Sequence, residues 1–183
     1  MIDAAQTPGG GISAQDADWS RETLCRTWDP ARQLLRCLRR YDGIGPGGRQ
    51  GRRPGPLLRR WIALQHRFWS VVCGCEIHPG TAIGGGLILP HPVGIVIHPK
   101  TRIGPNCIIF QNVTLGSNHS AAVPRVGGHV DIGPGAVVIG DITIGDHAQI
   151  GANAVVLHDV PAGAVVGGVP ARILKHATDR GVA

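Results

Sequence analysis

An aliphatic residue recurs at every sixth position through the middle and end of the chain. The period forms three runs separated by two interruptions: Ile77, Ile83, Leu89 and Ile95; Ile97, Ile103, Ile109 and Leu115; and Val126, Ile132, Val138, Ile144, Ile150 and Val156. A six-residue period is typical of a parallel β-helix, in which three hexapeptides form one coil of about 18 residues. A β-sandwich would instead show strict alternation and turn signals at spacings of about 8–12 residues. The pattern therefore favours the β-helix, with aliphatic residues inside and Gly, Asn or Asp at the corners.

The predicted fold is mainly β. A left-handed parallel β-helix of about four coils occupies residues 76–169. The longer interruption, residues 116–125, is expected to leave the coils as an extruded loop. Residues 170–183 are a C-terminal segment.

A small α-helical region is expected before the β-helix, in residues 19–75. Asp29 and Pro30 provide an N-cap and a proline at the first helical position. A second helix is predicted to start near Pro56, after a loop rich in Gly. Its apolar residues, among them Trp61 and Phe68, are expected to pack on the first coil rather than to line a ligand site.

Residues 1–18 are rich in Gly, Ala and Gln, and the composition predicts disorder. They do not resemble a secretory signal, because no basic residue precedes Gly11. The chain has no run of 18 apolar residues, so a transmembrane helix is not expected. Its five cysteines lack metal-site spacing and are expected to be reduced thiols. The expected compartment is the cytoplasm.

The net charge of +6 lies entirely in the N-terminal part of the chain. Residues 1–70 contain twelve Arg and six acidic residues, whereas residues 71–183 contain six of each sign. Such an excess can indicate a surface for nucleic acid or membrane. Solvated helix faces explain it better here, because no aromatic stacking platform accompanies the arginines. No nucleic-acid partner is expected.

Four motifs resemble those of hexapeptide-repeat acyltransferases and, among them, of serine acetyltransferases. They are Glu76-Ile77-His78-Pro79-Gly80; His91 followed by Gly94-Ile95-Val96-Ile97; Gln111-Asn112-Val113-Thr114-Leu115-Gly116; and Gly168-Val169-Pro170-Ala171-Arg172-Ile173. The last occurs across many acyltransferases of this fold, and the first two are more specific to the serine branch. The resemblance covers about residues 29–175 and implies direct transfer of acetyl from acetyl-CoA to a hydroxyl.

The resemblance implies that His91 is the catalytic base and Glu76 its acidic partner. A hydroxyl is a poor nucleophile until its proton is removed, and a histidine near neutral pKa suits that task. The two residues are separated by just under one coil, so we expect them to lie near each other on adjacent turns. Alternatively, His91 only fills a corner between two prolines.

Other histidines are weaker candidates. His119 lies in the predicted loop and resembles, in placement, the catalytic histidine of other acetyltransferases of this fold. With Asp29, it is expected to contact the acceptor. His78 and His98 precede prolines at corners and are expected to be structural, and His129, His147 and His158 are expected at surface corners. No group of these residues has metal-ligand spacing, so no metal is expected.

The resemblance also implies a CoA site along the groove between two chains. Pantetheine would bind backbone groups near Gly135, Gly151 and Ala152, where small residues permit close approach. Arg172 and Lys175 would bind the nucleotide phosphates. The isolated β-helix would leave flat faces exposed, so we expect a homotrimer, or a dimer of such trimers.

The chain departs from serine acetyltransferases where the acceptor is expected to bind. Pro90 replaces the aspartate that usually precedes the catalytic histidine. Ala122 and Val123 replace an arginine and a histidine that hold the charged ends of the amino acid. Asp29 is the one residue still present among those that the resemblance implies for binding the charged ends of the amino acid.

Three functions therefore remain open. The first is a serine O-acetyltransferase of cysteine biosynthesis, which converts L-serine and acetyl-CoA to O-acetylserine and CoA. The second is the same chemistry on a sugar, a polysaccharide precursor or another small hydroxyl, as in short family members from polysaccharide biosynthesis. The third is a non-catalytic trimeric scaffold, against which His91 and Glu76 count.

Overall fold

The computed structural model describes residues 12–118 and 122–175, and the predictions for residues 1–11, 119–121 and 176–183 lie outside these ranges. In the described residues, two α-helices precede the strands: α1 (Pro30–Tyr41) and α2 (Pro56–Cys73). The predicted cap of α1 is confirmed, since the Asp29 side chain accepts a hydrogen bond from the Arg32 amide and Pro30 is the first helical residue. Helix α2 ends at Gly74, whose φ of 62° is left-handed.

Fourteen short strands follow within the described ranges, most of them two or three residues long. They are β1 (Glu76–Ile77), β2 (Ala82–Ile83), β3 (Val96–Ile97), β4 (Arg102–Ile103), β5 (Ile108–Ile109), β6 (Thr114–Gly116), β7 (Arg125–Val126), β8 (Asp131–Ile132), β9 (Val137–Ile139), β10 (Thr143–Ile144), β11 (Gln149–Ile150), β12 (Val155–Val156), β13 (Val165–Gly167) and β14 (Arg172–Lys175).

The strands form three sheets, as the faces of a β-helix require. Their orders are β1-β3-β6-β9-β12, β10-β7-β4-β2 and β14-β13-β11-β8-β5. Among these described strands, every pairing is parallel except that of β13 with β14. The predicted β-helix is thereby confirmed.

The six-residue period forms the core by stacking in register. On the first face, Ile77 pairs with Ile97, Ile97 with Leu115, Leu115 with Val138 and Val138 with Val156. All five side chains are at most 1% exposed. The two interruptions in the period are absorbed between coils and leave this stack unbroken.

The corners also follow the prediction. Several non-glycine residues there adopt left-handed backbone: Asn106, Asn112, His129, His147 and Asn153. Asparagine tolerates this conformation better than most residues. His129 and His147 are therefore corner residues, as the sequence indicated.

Residues 12–18 correct the expectation of a disordered N-terminus. They form a segment held against the β-helix by Asn106, a corner residue that is 1% exposed. Asn106 Oδ1 accepts a hydrogen bond from the Asp18 amide, and Nδ2 donates to the carbonyls of Ser13 and Asp16. The composition gave no sign of this anchor, because the partner lies far along the chain.

The α-helical region predicted for residues 19–75 does not begin with an α-helix at residue 19. A short 3₁₀ turn covers Trp19–Glu22, and the α-helix begins only at Pro30. Glu22 forms a buried ion pair with Arg39, with Nη2 of the arginine 2.8 Å from Oε1. Arg39 Nη2 also donates to Gly84 O at 2.6 Å, and Leu87 N donates to Glu22 Oε1. The turn, α1 and the first coil are thus joined through one pair of charges.

The apolar residues of α2 do not all pack against the first coil as the sequence predicted. Trp69 packs against the core, but Trp61 and Phe68 are each 56% exposed, so they do not pack on the first coil. A row of exposed apolar residues follows the same side of the helix: Leu57, Trp61, Leu64, Phe68 and Val71. In the described part of the chain, neither helix combines the length and the apolar character needed to cross a bilayer.

Candidate active site

A cleft between the start of α1 and the first coil brings His91 and Asp29 together. His91 lies in the turn that precedes β3, and Asp29 is the N-cap of α1. The cleft has a volume of about 220 Å³ and is lined by Arg21, Asp29, Ala31, Arg32, Leu35, Leu87, Ile88, Leu89, Pro90 and His91. The base and one acceptor-binding residue that the sequence suggested therefore line a single cavity.

Glu76 lies outside this cleft in the isolated chain. It stands on β1 with an exposed side chain, and its Oε1 is 3.8 Å from Nε2 of His78. Among the described residues, no hydrogen bond or ion pair joins Glu76 to His91. The expected proximity across one coil is not realised as a direct contact, because the residues of β1 align with β3 and His91 precedes that strand.

Asp29 is held in place by its own helix. Its Oδ1 accepts the Arg32 amide at 3.3 Å, and its Oδ2 lies 3.0 Å from Arg32 Nη1. Arg32 also donates from Nε to the Arg21 carbonyl at 3.2 Å. The N-cap therefore fixes the direction of the carboxylate, and Arg32 ties the preceding turn to the helix.

Arg21 is a cleft residue that the sequence reasoning missed. Its Nη1 donates to the Asn106 carbonyl at 2.6 Å. Burial lowers the pKa of the guanidinium, while Asp18, Asp131 and Glu22 are near enough to oppose that shift. None of them forms an ion pair with it among residues 12–118 and 122–175. The surplus of arginine near the N-terminus was the available signal, but it does not distinguish Arg21 from exposed arginines such as Arg36.

One edge of the β-helix runs from the His91 turn toward the C-terminal coils. Successive corners on this edge are joined by backbone hydrogen bonds from Asn112 N to Val93 O, from Gly135 N to Gln111 O and from Asn153 N to Pro134 O. Neighbouring strands are about 4.8 Å apart. The corner at residues 151–153 is therefore about 14 Å from that of His91, three strand spacings away.

The small residues suggested for CoA binding lie on this edge, but they differ in solvent exposure and in the free space beside them. Ala152 is exposed and Gly151 half-buried. A Cβ on Gly135 would lie 2.2 Å from Oδ1 of Asn153. The absence of a side chain at Gly135 therefore makes room for a neighbouring corner, which weakens its assignment as a contact for a ligand.

Arg172 and Lys175 lie on β14, beside the same end of the edge. Arg172 pairs with Gly167 of β13, and a Cβ on Gly151 would be 3.5 Å from Gly167 Cα. Both basic side chains are exposed. The antiparallel strand thus places two cations near the last corner, which a simple C-terminal tail would not.

The structure describes only part of the loop between β6 and β7, in which the sequence suggested acceptor-binding positions. Ala122 and Val123 are half-buried, and His119 lies outside the described residues. Within the described ranges, no group of three or more His, Cys, Asp or Glu side chains could hold a metal ion.

The sequence pattern of the bacterial transferase hexapeptide family, defined by six repeats, matches residues 124–158. The β-helix thus contains a segment similar to the hexapeptide repeats of this family. A serine acetyltransferase of Staphylococcus xylosus is 43% identical over 123 residues, which are 66% of this chain and 56% of that protein. The chain thus spans about half the length of the curated relatives it matches.

Solved structures extend the similarity of the hexapeptide-repeat domain into the helical region. A serine acetyltransferase in complex with CoA superposes with a TM-score of 0.66 at 32% identity, covering 81% of this chain and 58% of that one. A soybean serine acetyltransferase in complex with serine gives a TM-score of 0.58 at 37% identity, covering 63% of this chain and 49% of that one.

Proposed function

We propose that the protein is an acetyl-CoA-dependent serine O-acetyltransferase that forms O-acetylserine for cysteine biosynthesis. The observation that carries this proposal is the cleft that holds His91 opposite Asp29, at the head of the edge leading to Arg172. The similarity to serine acetyltransferases supports both the donor and the acceptor.

The proposed reaction is a direct transfer. His91 removes the proton of the serine hydroxyl as the oxygen attacks the acetyl carbonyl carbon. The C–S bond then breaks from the tetrahedral intermediate, and the imidazolium returns the proton to the thiolate of CoA. Asp29 binds the ammonium group of serine, for which its fixed carboxylate is suited.

Glu76 is proposed to orient His91 or to stabilise its protonated form. In the isolated chain this side chain is exposed and lies beside His78, so the role requires a change of rotamer. His119 is retained as a further acceptor contact, on the resemblance alone.

CoA is proposed to lie along the corner edge, with its thioester at His91 and its phosphates at Arg172 and Lys175. Ala152 and Gly151 are the contacts that the exposure of the edge favours. Gly135 is the weakest of the proposed contacts, since Asn153 fills the space beside it.

A homotrimer is proposed as the assembled form. In the isolated chain, the apolar residues Val93 and Val96 are 60% and 39% exposed, close in sequence to His91. Closing three chains around a threefold axis would cover such residues and form the groove for CoA.

The free cysteines of the described chain fit a reducing compartment, and we place the reaction in the cytoplasm.

In the isolated chain the cleft has a volume of about 220 Å³, which has room for an acceptor as small as serine. The alternative of a sugar acceptor rests on Pro90, Ala122 and Val123, which lack the usual charges.

The test is release of free CoA from acetyl-CoA in the presence of L-serine, homoserine or a nucleotide sugar. Turnover with L-serine is expected. Turnover with the sugar alone would establish the alternative acceptor. No turnover with any of them, together with no binding of acetyl-CoA, would indicate a scaffold.

A further inference from the structure

The proposed acceptor carries three polar groups, and each of them needs a partner in the cleft. Serine has a hydroxyl, an ammonium and a carboxylate. His91 and Asp29 account for the first two, and the loop residues Ala122 and Val123, to which the resemblance points for the carboxylate, carry no charge. A carboxylate removed from water without a partner is costly. If the acceptor is an amino acid, we therefore expect a cation of the cleft to bind its carboxylate.

Two arginines line the cleft, and they differ in what they already bind. Arg32 is committed to Asp29, at 3.0 Å between Nη1 and Oδ2, and its Nε donates to the Arg21 carbonyl. Arg21 donates from Nη1 to a neutral carbonyl and has no carboxylate within ion-pair distance among the described residues. A guanidinium has five N–H donors, and two parallel ones can bind a carboxylate.

We propose that Arg21 binds the carboxylate of the amino-acid acceptor. This inference rests on the proposed function and adds the residue that selects for an acidic group on the acceptor.

The position of Arg21 is fixed from two sides, which suits a binding residue. The main chain of its turn is held by Arg32, and its guanidinium by the Asn106 carbonyl. Asn106 is the same corner residue that anchors residues 13–18. The N-terminal segment thereby becomes part of the acceptor site, because the Asn106 corner that anchors it also holds Arg21 in the cleft.

The experiment compares L-serine with L-serinamide, which keeps the hydroxyl and the amine but has no carboxylate. The full chain and acetyl-CoA are used, and kcat/KM is measured for each acceptor. The wild-type protein is expected to prefer L-serine. Arg21→Gln should lower kcat/KM for L-serine by roughly 10- to 100-fold, as expected for a lost charge-assisted hydrogen bond. It should leave serinamide largely unchanged, so that the preference disappears.

Two further variants make the result specific. Arg21→Lys keeps the charge without the two-pronged geometry and should retain part of the preference. Arg36→Gln removes an exposed arginine of α1 outside the cleft and should leave the preference intact.

A wild-type protein that uses serinamide as well as serine contradicts the inference. An equal loss for the two acceptors in Arg21→Gln, including complete loss, contradicts it as well, because it indicates damage to the fold or to the chemistry. If the wild-type protein acetylates neither compound, the proposed function itself has failed.

Discussion

Asp29 and His91 line one cleft although all of α1, all of α2 and the first two strands separate them in sequence. Asp29 arrives there as the cap of a helix, and His91 as part of a turn between two faces of the β-helix. The cleft exists because α1 packs its buried Leu34 and Leu35 into the same core cluster as the first coil. The geometry of the site therefore depends on how the helical region docks.

Replacing His91 by alanine should lower kcat by roughly 10²- to 10⁴-fold, the usual contribution of a general base. The measurement is CoA release at saturating L-serine and acetyl-CoA. His158→Ala is the matched control, because His158 is an exposed histidine far along the β-helix. Near-normal turnover of the His91 variant would remove it from this role and direct attention to His119.

Glu76→Gln and His78→Ala distinguish the two partners that Glu76 can have. If Glu76 supports His91 during turnover, Glu76→Gln should lower kcat by about 10-fold or more, by analogy with the carboxylate of a catalytic triad. His78→Ala should have little effect, since it removes only the 3.8 Å contact of the isolated chain. A large loss in His78→Ala with none in Glu76→Gln would contradict the proposed role.

Arg39→Met should destabilise the fold by about 3–5 kcal/mol, because it leaves the Glu22 carboxylate buried without its partner. The free energy of unfolding can be measured by urea denaturation. The exposed pair of Arg125 and Asp141, at 3.2 Å, provides the control. Asp141→Asn should change stability by less than about 1 kcal/mol. Equal effects of the two changes would show that the buried pair does not join the segments as described.

Because the Cys107 thiol is buried, we expect the free energy of unfolding to fall in alkaline solution. Burial raises the pKa of its thiol to about 11 from an ordinary value of 9.0. The folded state therefore keeps a proton that the unfolded state loses as the pH rises from 9.0 to about 11. Stability from this group is complete below pH 9.0 and falls across that window.

The check is urea denaturation of the wild-type protein and of Cys107→Ala on both sides of that pH window. The variant has no thiol to titrate there, so its stability should fall less with pH. A fall of the same size in both proteins would show that other groups control the alkaline range.

The sequence by itself determined the β-helix, its in-register stacks and the left-handed corners. This was possible because the structure repeats: one inward residue in six is enough to define each coil, and each coil contacts its neighbours alone. The start of α1 could also be predicted, since an N-cap followed by proline depends only on residues adjacent in the sequence.

The tertiary structure decided which residues share a cavity. Arg21 and Asn106 carry no periodic signal, and their contacts join segments far apart in the chain. The same holds for Glu22 with Arg39, which a sequence cannot pair because two of many charges must first be brought together by folding. The side chain of Glu76 shows the converse: its spacing from His91 predicted proximity, but the register of β1 with β3 gave it His78 as a neighbour. The period thus fixed the scaffold, and the docking of the non-repeating segments on it fixed the site.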